Sequence, residues 1–104
     1  MQDIIKAGEP VAPAEVEGVL LSHPLIADAA VAGVYSEEHG HELIRAYVVA
    51  DPQSKDQLSD RDVASFVEGQ VSDCKRLKGG VVFVPAIPRS LAGKILRKKL
   101  AGLG

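Results

Sequence analysis

Residues 88–98 read Pro-Arg-Ser-Leu-Ala-Gly-Lys-Ile-Leu-Arg-Lys and place one lysine, Lys94, directly after Gly93, in a loop that leads into a short basic helix. Glycine reaches backbone conformations that other side chains make costly, so the chain can turn at Gly93 and hold Lys94 outward. A lysine ammonium is a compact point charge on a flexible stem, suited to neutralising a phosphate or carboxylate transiently. Residue types alone leave two readings: a cation on a mobile tether that reaches beyond its own domain, or a solvated lysine at a helix start. A phosphate-binding P-loop is excluded, because that motif needs a glycine five residues before the Gly-Lys pair and a Ser or Thr after it. Pro88 and Ile95 occupy those positions.

Other chemistry-bearing groups are sparser. Glu38, His39, His41 and Glu42 put four potential metal ligands within five residues, but structural zinc sites combine two spaced ligand pairs and no second cluster follows. The stretch is read as a solvated loop with no metal site. Cys74, the only cysteine, has no base beside it, excludes an internal disulfide and suits a reducing compartment. His23, in Ser-His-Pro at the end of a helix, is read as a capping or packing residue.

Charge is segregated along the chain. All 14 acidic residues lie at or before Asp73, and residues 75–99 hold eight basic residues and no acidic one, within a net charge of −2. That asymmetry suggests a polyanionic partner on one side. Phe83 is the one aromatic residue of the stretch and sits in an apolar run, so no base-stacking platform forms and nucleic acid is disfavoured. No apolar run approaches the ~20 residues of a membrane helix, and no secretory signal opens the chain.

The elements that must position these groups follow from spacing. At 104 residues the chain is one domain with room for a modest core. Gly8 marks a tight turn between two short extended pieces. Pro13 opens a helix in which Val16, Val19 and Leu20 form an inward stripe, and Pro24 closes it. A strand is predicted over 26–34, a polar loop over 35–42, and a half-buried strand over 43–50, whose side chains alternate cleanly. A loop over 51–54 precedes an N-capping box at Ser59–Asp62 and a helix with Val63, Phe66, Val67 and Val71 inward. Residues 81–84 form a short buried strand and residues 95–100 a basic helix. Strands interleaved with helices give an α/β (α+β) sandwich, a small three-stranded sheet covered by helices, with a short N-terminal hairpin.

Four ordered segments resemble the C-terminal domain of the adenylate-forming superfamily, closest in flavour to acyl-CoA synthetases and 4-coumarate:CoA ligases. They are residues 4–17 (Ile-Ile-Lys-Ala-Gly-Glu-Pro-Val-Ala-Pro-Ala-Glu-Val-Glu), 21–31, 75–84 and 88–98, and the resemblance covers essentially the whole chain. It implies that residues 1–104 are a lid domain that rotates between two half-reactions, with the large N-terminal adenylation domain as its partner and outside this chain. Met1 is then expected close to the interdomain hinge, with the hinge residue cut off and this piece alone inactive. The whole enzyme would convert a small carboxylic acid, ATP (with Mg2+) and CoA to a thioester, AMP and pyrophosphate. Its location would be cytoplasmic, with a peroxisomal one left open, and no nucleic acid or membrane would take part.

By the same resemblance Lys94 is the catalytic lysine that contacts substrate carboxylate and ATP phosphate oxygens while the acyl-adenylate forms. Gly8 and Glu9 match the segment lining the pantetheine tunnel, Lys6 matches a second functional lysine, and Lys75, Arg76, Lys78 and Gly79 would meet the phosphates of CoA. Two departures stand out. Leu91-Ala92 replaces the family's usual Pro-Ser or Pro-Thr, and Pro10 replaces an amide side chain and removes a backbone donor. Two alternatives remain: the lid of a carrier-protein-loading adenylation domain, and a stand-alone anion-binding module.

Overall fold

A computed structural model of the chain describes residues 4–53 and 55–100. Ser54, the last residue of the predicted 51–54 loop, lies outside the described residues, as do the side chains of Lys55 and Cys74 and with them the reading of Cys74. The N-terminal pieces pair as expected: β1 (Ile5–Lys6) and β2 (Pro10–Val11) run antiparallel, Ile5 opposite Val11. Gly8 turns between them at φ 85°, a left-handed conformation that favours glycine. Helix α1 (Pro13–Leu21) starts on its proline and buries Val16 and Leu20 completely. It also turns Glu17 inward, at 7% exposure, which the apolar stripe did not foretell.

Strands β3 (Ile26–Ser36) and β4 (His41–Ala50) form a long antiparallel hairpin. The predicted loop over 35–42 shrinks to 37–40, because Tyr35 pairs with Glu42 and Ser36 with His41. A strand end tolerates polar side chains wherever one face meets water, so the ladder outruns the apolar pattern. Helix α2 (Asp60–Glu68) begins at the predicted capping box. The Asp62 N–H donates to Ser59 Oγ at 3.1 Å and the Ser59 N–H to Asp62 Oδ2 at 3.0 Å. The Ser59 N–H, with the Ser59 hydroxyl second, holds the Asp62 carboxyl below its ordinary pKa. Val63 and Val67 are buried and Phe66 packs partly against the same core. Val71 does so from beyond the helix end.

Strand β5 (Val81–Phe83) joins β4 in parallel, giving the order β3-β4-β5. At the sheet edge Phe83 stays 42% exposed, so this strand is less buried than its sequence implies. The reverse holds for β4, which was expected half-buried. Ile44, Ala46 and Val48 face the side chains of α1 and α2, while Tyr47 lies on the opposite face with Ala30, Ala32, Val84, Ile87 and Leu100. Ala46, Tyr47 and Val48 are all fully buried. The physical reason is the course of residues 84–100, which fold back across the face left open by the helices and end in α3 (Arg97–Leu100). That helix starts two residues later than predicted, because Ile95 bridges to Arg89 and the Leu96 N–H donates to Pro88 O at 2.9 Å.

Candidate functional site

The loop carrying Lys94 is a closed miniature hairpin. The Gly93 N–H donates to Ser90 O at 2.9 Å, closing a turn over Leu91 and Ala92, and the Ser90 N–H donates to Lys94 O at 2.8 Å. The Lys94 N–H reaches Ser90 Oγ at 3.2 Å. Gly93 adopts φ 84° with open space where a Cβ would be, so the left-handed backbone rather than crowding calls for glycine there. Leu91 stands fully exposed at the tip. Arg89 staples the upstream limb: Nη1 donates to Gly93 O at 3.1 Å and Nη2 to Asp28 Oδ1 of β3 at 2.8 Å. The tether expected to be mobile is therefore pinned along its backbone, and freedom is left to the side chain of Lys94. That side chain is exposed, and among the described residues no carboxylate pairs with it.

Downstream, Arg97 leaves the basic face. Its Nη2 donates to Glu17 Oε1 and Oε2 at 3.0 and 2.8 Å, and its Nε donates to Val31 O at 3.1 Å. The charge segregation of the sequence is thus undone in space. Of the eight basic residues in 75–99, Lys75 pairs with Glu15, Arg76 and Lys78 with Asp73, Arg89 with Asp28 and Arg97 with Glu17. Lys94, Lys98 and Lys99 are exposed without a carboxylate partner among the described residues.

The candidate binding residues do not share one cleft. A cleft of about 710 Å³ is bordered by Lys94, Lys98 and Lys99 on one side and by Ile4, Ile5 and Glu42 on another. A second cleft, about 190 Å³, is lined by Arg76, Lys78, Asp73, Ala7, His41 and Glu42. The β1–β2 hairpin meets the larger cleft through Ile5 and the smaller through Ala7, whereas Gly8, Glu9, Lys75 and Gly79 line neither. Lys6 lines a third cleft with Tyr35, Gly40, His41 and Glu42, and its N–H donates to Glu42 Oε1 at 2.9 Å. Lys6, Gly8 and Glu9 are all exposed. Gly79 has a structural reason to be glycine, since a Cβ would lie 2.9 Å from Ile44 O. Its own N–H donates to that oxygen at 2.9 Å, and its carbonyl accepts from Arg45 Nε at 2.8 Å.

The histidines are occupied locally. His23 Nδ1 accepts from the Leu25 N–H at 3.0 Å, and its ring meets Phe66 edge-on at 4.7 Å between centroids. His39 Nδ1 lies 2.9 Å from Ser36 Oγ, and His41 Nδ1 lies 2.8 Å from Glu42 O. Among the described residues no three His, Cys, Asp or Glu side chains are grouped to hold a metal ion, and no helix is long and apolar enough to cross a membrane. Sequence reasoning missed Glu17, Asp28 and Arg97 as parts of the Lys94 assembly. The available signal for Glu17 was its spacing, four residues after Pro13 and three before Leu20, which puts it on the buried side of α1 beside the apolar stripe.

Comparison with known proteins places this geometry. Residues 15–94 match the family model described as the AMP-binding enzyme C-terminal domain. A phenylacetyl-CoA ligase of Aspergillus niger is 54% identical over 100 residues, covering 95% of this chain and 18% of the relative. The structure of a Mycobacterium tuberculosis fatty acyl CoA synthetase superposes with a TM-score of 0.81 at 36% identity, over 94% of this chain and 19% of that one. ATP-bound MatB from Rhodopseudomonas palustris gives 0.78 at 29% identity, over 96% and 19%. The chain therefore spans about a fifth of the length of these relatives. With the mixed α/β fold, the three-stranded sheet and the N-terminal hairpin all in place, the chain belongs to the AMP-binding enzyme C-terminal domain family.

Proposed function

We propose that this domain is the mobile lid of an ATP-dependent acyl- or aryl-CoA ligase, and that Lys94 supplies the cation for its adenylation half-reaction. A carboxylate oxygen of the acid attacks the α-phosphorus of ATP, a P–O bond forms, and pyrophosphate leaves with the electron pair of the broken P–O bond. Two anions must approach each other in that step. A positive charge already in position offsets their repulsion in the transition state, where it counts most. The CoA thiol then loses its proton to solvent and attacks the acyl carbonyl; a C–S bond forms, the acyl C–O bond to the phosphate breaks, and AMP leaves with that electron pair. Gly8, Glu9 and Lys6 on the hairpin, and Lys75, Arg76, Lys78 and Gly79 beside the smaller cleft, are proposed to meet CoA in this second step. ATP, CoA, the acid and the large adenylation domain are the partners of this reading, and the isolated lid is inactive.

The observation that supports it best is the presentation of Lys94. Its loop is held by five hydrogen bonds within residues 88–96 and by the Arg89–Asp28 ion pair to β3, while its ammonium faces outward. A lysine serving only solubility needs no such mount. The test is pyrophosphate exchange into ATP by the full-length enzyme. Lys94→Ala should lower the rate by roughly two to three orders of magnitude, with stability unchanged. An exchange rate within a few-fold of the parent's would refute the assignment.

A further inference from the structure

We propose that Glu17 is a positioning residue for Lys94, acting through Arg97; the claim rests on the reading of Lys94 given above. Glu17 lies on α1, far from the Lys94 loop in sequence, yet its carboxylate is almost wholly inside the domain. A buried carboxylate must have its oxygens satisfied, and the partners it has define a closed ring. Glu17 Oε2 accepts from the Val31 N–H at 2.9 Å and from Arg97 Nη2 at 2.8 Å, and Arg97 Nε donates back to Val31 O at 3.1 Å. Both backbone groups of Val31 are therefore held by side chains, on the edge of β3 that no strand covers.

This ring fixes the downstream limb of the loop three residues after Lys94. The Asp28–Arg89 pair fixes the upstream limb to the same strand, and Asp28 Oδ1 is itself held by the Ala29 N–H at 2.9 Å. Both limbs are thus tied to β3, whose own position is set by its long pairing with β4. The planar guanidinium is the group suited to such two-sided attachment, since its donors form a fixed fork. The lysine between the two arginines is left to act. Cationic stabilisation of a transition state depends on placement, and a misplacement of ~1 Å far from the chemistry can cost about a hundredfold in rate. Removing the Glu17 charge would leave the Val31 N–H and Arg97 poorly matched, and the limb would loosen without any change at Lys94 itself.

The experiment is a double-mutant cycle in the full-length enzyme, with Glu17→Gln and Lys94→Ala singly and together. Pyrophosphate exchange and thioester formation from supplied acyl-adenylate are read separately, alongside hydrogen–deuterium exchange of peptides covering 88–97 and 60–68. Glu17→Gln should cut the rate of pyrophosphate exchange roughly tenfold with little change in KM for ATP, leave thioester formation within twofold, and speed exchange in 88–97 but not in 60–68. In the Lys94→Ala background it should have no further effect. Arg97→Lys keeps the cation but loses the fork and should behave like Glu17→Gln, more mildly than Arg97→Ala. Full additivity of the two losses, or faster exchange in both peptides, overturns the positioning role alone. An unslowed Lys94→Ala enzyme refutes the role of the lysine and the positioning claim with it. If neither Glu17→Gln nor Arg97→Lys gives folded enzyme, the pair is a folding element and the proposal fails.

Discussion

Residues 73–80 and residues 88–97 carry three cations each, but they sit very differently in the molecule. In the first stretch Arg76 and Lys78 share Asp73, a near neighbour in sequence, and Lys75 reaches Glu15. These are pairs at the surface, each worth about 0–1 kcal/mol and readily exchanged for another anion. In the second stretch the two arginines are committed to carboxylates on distant elements, Asp28 and Glu17, and the lysine between them is left unpaired among the described residues. The same composition thus yields a loosely neutralised surface in one place and a mounted single charge in the other. Arginine serves the architecture and lysine is presented outward, as their head groups would suggest.

The glycines of the two stretches sharpen this contrast and carry the largest expected stability effect. Gly79→Ala would force a Cβ to within 2.9 Å of the Ile44 backbone and should destabilise the domain by about 2 kcal/mol. Gly93→Ala meets open space but must hold a left-handed backbone, which costs about 1 kcal/mol. Denaturant midpoints of the two variants measure the difference, and equal costs would break the distinction. Charge reversal at Lys75 and Lys78 together should raise the apparent KM for CoA roughly threefold, the scale of one or two exposed charge contacts, and leave the constants for ATP and acid unaltered. The smallest effect is expected from Asp73→Asn, which releases Arg76 and Lys78 from their internal partner. CoA should then bind about twofold tighter at low salt, with the gain screened away at high salt, and stability should move by less than ~1 kcal/mol.

Much of the fold could be read from local chemistry. The turn at Gly8, the start of α1 at Pro13 and the capping box at Ser59–Asp62 rest on contacts within a few residues, and each is found where the residue types call for it. What escaped was set by partners distant in the chain. The alternation of β4 cannot reveal that residues 84–100 return to cover its second face, so the strand reads as half-buried although Tyr47, on that face, is fully buried. Strand ends at Tyr35 and Glu42 hid in polar sequence for the same reason, since pairing across the ladder held them extended. At the candidate site Lys94 was legible because Gly-Lys lies in one contiguous segment. Its supports were not, because Glu17 and Arg97 are 80 residues apart and only the fold brings them together. Charge counted along the chain misled in the same way: an acid-free run still found Glu15, Glu17, Asp28 and Asp73 in space.

Lys94 is proposed to serve one half-reaction and not the other. The most direct measurement takes the full-length Lys94→Ala enzyme and times the two half-reactions side by side: acyl-adenylate formation from acid and ATP, and thioester formation from supplied acyl-adenylate and CoA. The expected loss is roughly two to three orders of magnitude in the first and less than about a threefold change in the second, because no carboxylate–phosphate approach remains to be offset once the adenylate exists. Equal losses in both half-reactions would contradict that role and make Lys94 a structural residue.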